Sequence, residues 1–221
     1  PYKVKRLFEP GCGTGRLVVE MAERGFRLTG LDLSQPMLDY CKGRLEKKGL
    51  KASLVLGDMT QFSFAKPFDA AFNTLNTFRH LLTEEDAVAH LKCVAAALRP
   101  GGIYILGLHL LPTGGEYYGT ERWKAKDGKN QIGYALTVID SKPRERVEEL
   151  RITMTIKSPS KTIRVSNQFA LRLYNARNIK KLFAQVPEFQ LRDVYDFWYE
   201  IDEPQKLNGE IADSVFILQK Q

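Results

Sequence analysis

The stretch Leu7-Phe8-Glu9-Pro10-Gly11-Cys12-Gly13-Thr14-Gly15-Arg16 decides the fold of this chain. A short apolar strand ends in an acid, three glycines follow at alternate positions, and an amphipathic helix begins at Arg16. Glycines at these positions let the backbone turn and approach a ligand with no Cβ in the way. The helix behind the turn offers unpaired amides to an anionic group. Dinucleotide-binding loops also use glycines, but their G-x-G-x-x-G spacing requires a glycine where Arg16 stands.

Outward from this loop, strands and helices alternate. Strands are expected over residues 6–9, 26–32, 52–56, 68–73 and 103–108. A helix over 16–24 places Leu17, Met21 and Ala22 on one face and stops at Gly25. A second, over 36–48, has Ser34 as its cap, Pro36 in its first turn and Gly49 at its end. A third opens at Thr83-Glu84-Glu85-Asp86, with acids suited to the helix dipole, and breaks at Pro100-Gly101-Gly102. This order indicates an α/β fold with a doubly wound, Rossmann-like sheet of seven mostly parallel strands. Such sheets bind ligands outside the carboxyl ends of their strands, where Glu9, Asp32, Asp58 and Asn73 fall.

After Leu111 the periodicity changes to alternating polar and apolar residues, over 134–140, 148–157 and 161–174. Ser158-Pro159-Ser160 marks a hairpin turn between the last two runs. Residues 113–174 are therefore expected to be an antiparallel β insert. A helix over 175–186 and strands over 191–196 and 214–218 return the chain to the main sheet. The core is expected at 1–112 and 175–221.

The 221 residues, 43% hydrophobic, suffice for one substantial core. No apolar run is long enough for a membrane span, and no signal segment opens the chain. The first residue is Pro1, so further residues are expected upstream. Cys12, Cys41 and Cys93 form no C-x-x-C pair, and His80, His90 and His109 have no metal-ligand spacing. This pattern suits a reducing cytoplasm, with no metal site and no disulfide framework. Cys12 reads as a small residue packed in a glycine turn rather than as a nucleophile. The net charge is +7, and the excess falls in residues 120–192, which hold about nine more Lys and Arg than Asp and Glu. A basic region can attract anionic substrates or nucleic acid, but lysines blunting solvated sheet edges are the favoured reading.

Four segments together resemble the class I S-adenosylmethionine-dependent methyltransferases. Glu9-Pro10-Gly11-Cys12-Gly13-Thr14-Gly15 resembles the family's first motif. Leu31 to Leu38 resembles its second strand end, Gly57-Asp58-Met59 its adenine-contact turn, and Leu98-Arg99-Pro100-Gly101-Gly102 the loop before its fifth strand. The resemblance implies S-adenosylmethionine as cofactor. Gly11, Cys12, Gly13 and Gly15 would form its loop. Glu9 would orient the loop or the amino group, and Arg16 would reach the carboxylate. Asp32 would accept from the ribose hydroxyls. Asp58 and Met59 would contact the adenine edge, Leu33 and Met37 its faces, and Asn73 and Thr74 the methionyl end. The family's one or two helices before the first strand have no counterpart in residues 1–5.

The acceptor is expected to be a small molecule methylated at nitrogen or oxygen. The segment after Asn73 lacks the Asn/Asp-Pro-Pro-aromatic and Pro-Cys runs of nucleic-acid methyltransferases, which disfavours nucleic acid. His80 and His109 are the candidate catalytic bases, and Arg79 a candidate for binding an acidic acceptor. Asn76, Tyr117, Tyr118, Trp123 and Tyr195 are further candidates for the acceptor pocket, with Tyr199 close behind. No membrane contact is expected, and a monomer or homodimer is the expected assembly. Two alternatives stay open. One is a domain that binds S-adenosylmethionine or S-adenosylhomocysteine without turnover; the other is a nucleic-acid methyltransferase using the basic insert.

Overall fold

A computed structural model describes residues 4–115 and 119–221. Its main sheet has seven strands: β1 (Arg6–Pro10), β2 (Arg27–Asp32), β3 (Ser53–Leu56), β4 (Phe68–Asn73), β5 (Leu98–His109), β10 (Phe189–Tyr195) and β11 (Asp213–Lys220). Their order is β10-β11-β5-β4-β1-β2-β3. β11 runs antiparallel to both its neighbours, while β1 to β5 pair in parallel. The order reverses between β1 and β4, so the glycine loop after β1 opens at the switch point where ligands of such sheets bind.

Period-two alternation along β1 divides the core. Phe8 faces a cluster with Ala71, Leu91, Leu106 and Ile179. Leu7 faces the opposite cluster with Val18, Leu38, Cys41 and Phe72. Helices α1 (Arg16–Glu23) and α2 (Gln35–Lys47) cover the Leu7 side; α3 (Glu84–Ala97) and α4 (Ala176–Phe183) cover the Phe8 side. Phe8 is fully buried, 5.0–5.1 Å from the rings of Phe62, Phe64 and Phe68. Truncating it to alanine should cost about 3–5 kcal/mol.

The helix starts follow from local chemistry. The Thr83 hydroxyl accepts from the Asp86 N–H at 3.0 Å. Asn175 and Asn178 make a reciprocal capping box for α4. Ser34 occupies the cap position of α2, but its side chain makes no capping bond. Its own N–H instead donates to Asp32 Oδ1.

The inserted elements form a separate four-stranded antiparallel sheet. Its strands β6 (Thr120–Asp127), β7 (Asn130–Lys142), β8 (Val147–Lys157) and β9 (Thr162–Arg172) lie in chain order. The hairpin at Ser158-Pro159-Ser160 closes with Lys157 opposite Thr162. β6 was not legible beforehand, because its largely exposed TERWKAKD gives no buried face to alternate against. A second correction concerns Pro100-Gly101-Gly102. These residues do not precede β5 but lie within it, because Phe68 already pairs with Leu98 and the register then shifts. Gly101, with φ +72, supplies the local turn.

Candidate active site

Each glycine of the loop has a distinct job. Gly15 has φ +71, and a Cβ there would lie 2.0 Å from Cys41 Sγ, so α1 and α2 meet too closely for any side chain. A Cβ on Gly11 would lie 2.5 Å from Thr77 Cγ2. Gly13, with φ +52, has nothing within 4 Å of its Cβ position, so the loop faces open space there. The loop is clipped to β2 from beneath: the Cys12 N–H donates to Leu31 O at 2.9 Å, and the Gly13 N–H donates to Asp32 Oδ2 at 2.7 Å.

Asp32 therefore ties the glycine loop to the start of α2, with its Oδ1 accepting from the Ser34 N–H at 2.9 Å. Each carboxylate oxygen has a further lone pair for a ligand hydroxyl. Glu9 is buried beneath the loop, and its Oε2 has no hydrogen-bond partner among the described residues. Burial pushes its carboxyl up to about 8, with the Arg16 guanidinium opposing the rise. The Asn73 amide donates to Pro10 O at 3.0 Å, while its buried Oδ1 has no partner among the described residues. Two orphaned oxygens thus lie beside one loop.

Asp58 is more committed than expected. Its Oδ1 accepts from both the backbone N–H and the hydroxyl of Thr60, at 2.7 and 2.8 Å, which makes it a turn acid first. Met59 is anchored by His90, whose Nδ1–H donates to Met59 O and whose Nε2 accepts from Tyr104 OH. His90 is fully buried, and desolvation lowers it to about 4, so it is a neutral structural residue. Leu33 and Met37 are large apolar residues left 69% and 44% exposed, as a flat apolar ligand would require. The Thr74 backbone packs against Gly107, and Arg16 is exposed. Burial and the nearby Glu9 and Asp32 push the Cys12 thiol well up, which disarms it as a nucleophile.

Between the end of β5 and the inserted sheet lies a cavity of about 470 Å³. His109, Asp213, Asn76 and Glu121 line it with a wall of leucines, Leu136 and Leu150 among them. His109 Nδ1 and Asp213 Oδ1 are 2.5 Å apart. Phe197 packs on the His109 ring, with centroids 5.0 Å apart, and stacks on Tyr199. Sequence reasoning missed Asp213 and Phe197. No local motif marks either; only the β5–β11 register brings Asp213 opposite His109.

Several acceptor-pocket expectations need correction. Arg79 lines the cavity but is buried and paired: it meets Glu148 at 2.5 Å and donates to Arg172 O at 2.8 Å. It joins the loop after β4 to the inserted sheet, and the Glu148 carboxylate already meets its charge. Asn76 does line the cavity, with its Oδ1 accepting from the His109 N–H at 2.8 Å. Trp123 packs on Tyr134 within the inserted sheet and does not line the cavity. His80 packs against Phe169 of β9, and Tyr195 ends β10 beside Val215; neither lines the cavity. Tyr117 and Tyr118 lie outside the described residues. Among the described residues no group of three or more His, Cys, Asp or Glu side chains is arranged to hold a metal, and no helix is long and apolar enough to cross a membrane.

Comparison with known proteins agrees with this geometry. Residues 8–102 match a family profile described as a methyltransferase domain. The cypemycin N-terminal methyltransferase of a Streptomyces species is 35% identical over 108 residues, 48% of this chain and 42% of that protein. The dTDP-3-amino-3,4,6-trideoxy-alpha-D-glucopyranose N,N-dimethyltransferase of Streptomyces venezuelae is 26% identical over 159 residues, 72% of this chain and 64% of that one. The chain spans 42% of the length of the first curated relatives it matches. Two solved structures share the fold. An S-adenosylmethionine-dependent methyltransferase from Clostridium acetobutylicum superposes with TM-score 0.81 at 18% identity, over 98% of this chain and 84% of its own. A SAM-bound amino pentose methyltransferase from Micromonospora echinaspora superposes with TM-score 0.78 at 20% identity, over 99% and 84%. Residues 8–102 thus match a methyltransferase domain, and the fold is shared with solved S-adenosylmethionine-dependent methyltransferases. In this chain a four-stranded antiparallel sheet lies between β5 and α4.

Proposed function

We propose that the protein transfers a methyl group from S-adenosylmethionine to a small-molecule nitrogen or oxygen acceptor. The observation that carries this reading is the glycine loop, clipped from below by Asp32 and open above Gly13. The residues present fit the cofactor. The orphaned oxygens of Glu9 and Asn73 suit its cationic amino group, whose charge would favour loss of the Glu9 proton. The spare lone pairs of Asp32 suit the ribose hydroxyls, and Leu33 and Met37 suit the adenine faces. Arg16, whose charge acts on Glu9, suits the carboxylate.

The cofactor brings a methyl group already activated on a sulfonium, so the protein's main tasks are positioning and exclusion of water. The leucine-walled cavity under the inserted sheet is the candidate acceptor site, which gives residues 113–174 the role of its cover. Its lining carboxylates Glu121, Glu148 and Asp213 outnumber Arg79, so a cationic amine is favoured over an acidic acceptor. The amino sugar named in the Streptomyces venezuelae relative has this chemistry.

Calorimetric titration with S-adenosylmethionine and S-adenosylhomocysteine, followed by labelled-methyl transfer into pools of small amines and alcohols, tests the reading. Binding without transfer into any pool would favour a non-catalytic module. Transfer into RNA or DNA, with steep salt dependence, would favour a nucleic-acid enzyme.

A further inference from the structure

We propose that His109 takes the proton shed by the acceptor and that Asp213 is its positioning residue, an inference that rests on the methyl-transfer reading above. His109 closes β5, Asp213 opens β11, and the antiparallel ladder sets them directly opposite each other. Residues so paired point their side chains to the same face of the sheet. An ionised carboxylate only accepts, so in the 2.5 Å contact the proton sits on Nδ1 and the lone pair is left on Nε2. Nε2 has no hydrogen-bond partner among the described residues.

The imidazole is held from two further directions. Its ring rests against Phe197. Its backbone N–H donates to Asn76 Oδ1, and the Asn76 N–H in turn donates to Gly107 O at 3.2 Å. Leu75 and Asn76 adopt φ of 60° and 70°, consecutive left-handed conformations that non-glycine residues rarely take. Such backbone strain persists only where the surroundings over-determine it, and here it shapes the loop that fixes the end of β5. Of the chain's three histidines, His90 has both nitrogens occupied and His80 lies off the cavity; His109 lines it. Glu121 and the Arg79–Glu148 pair are the other charged groups on its wall.

This arrangement selects acceptors that must lose a proton, namely ammonium and hydroxyl compounds. As the acceptor's nitrogen or oxygen bonds to the methyl carbon, the carbon–sulfur bond breaks and leaves its electron pair on sulfur. The acceptor's proton passes to His109 Nε2, before attack for an ammonium and during it for a hydroxyl, giving an imidazolium beside the Asp213 carboxylate, and then passes to water.

The test reads the imidazole tautomer by nitrogen-15 NMR in the full chain, in wild type, Asp213→Asn and Asp213→Glu. The expected result is an Nδ1–H imidazole at His109 in wild type, lost in Asp213→Asn and retained in Asp213→Glu. Affinity for S-adenosylhomocysteine should stay within about twofold in all three, so a failure of cofactor binding is seen separately. With cyclohexylamine as the probe acceptor, His109→Gln should lower kcat by about 10²–10⁴-fold at little change in KM. An Nε2–H tautomer in wild type, or full turnover by His109→Gln, overturns the inference. The tautomer decides even if cyclohexylamine is rejected.

Discussion

The Gly13 N–H donates to Asp32 Oδ2 at 2.7 Å, which locks the glycine loop after β1 to the end of β2. Gly13 and Gly15 both hold positive φ, yet they differ in what surrounds them. Gly15→Ala drives a Cβ to within 2.0 Å of Cys41 Sγ, so the α1–α2 contact must open. It should destabilise the fold by about 1–3 kcal/mol or more, as overpacking does. Gly13→Ala meets nothing within 4 Å among the described residues. It should cost only the left-handed strain, about 1–2 kcal/mol, yet weaken S-adenosylhomocysteine more than Gly15→Ala weakens it in the fraction that folds. Thermal unfolding and calorimetry on both variants check this; equal effects of the two would contradict the division of labour.

Glu9 should make stability depend on pH. Its folded carboxyl is raised to about 8 from the usual 4.5, chiefly by burial. The stability it contributes is therefore fully present below pH 4.5 and is lost as pH rises through about 8. Glu9→Gln removes that loss. The melting temperature of Glu9→Gln relative to wild type should climb between pH 4.5 and 8 and level off above. A pH-independent difference would show that Glu9 is not the group responsible. In the same variant, cofactor affinity should fall, because the carboxylate that meets the amino group has gone.

Arg79 and Glu148 form a buried pair whose side chains are each 5% exposed. Removing one partner strands the other charge, which typically costs about 3–5 kcal/mol. Arg79→Met and Glu148→Gln should each lower the denaturant midpoint strongly, with Arg79→Met/Glu148→Leu recovering part of the loss. If Arg79→Met instead left stability intact and raised only the KM of an acidic acceptor, the ion pair would not be structural.

Much of the candidate cofactor edge was legible because its information is local. Glycine spacing, an acid two residues before Gly11 and an acid at the end of β2 sit within a few residues of what they position. The acceptor side was not, because its geometry arises from strands distant in sequence. Asp213 reaches His109 only through the β5–β11 register, 104 residues apart. Arg79 read as a free loop cation because its partner Glu148 lies 69 residues on, in a different sheet. β6 was invisible because a strand with two solvated faces has no period to detect.

Asp32→Ala tests the central claim most directly. Calorimetric titration of S-adenosylhomocysteine should show one-site binding to the wild-type chain. Loss of charge-assisted hydrogen bonds on both the loop side and the ligand side should weaken binding in Asp32→Ala by about 1.5–3 kcal/mol, roughly 10–100-fold. Absence of binding to the wild type, or unchanged affinity in a folded Asp32→Ala, would contradict the assignment of this loop to S-adenosylmethionine.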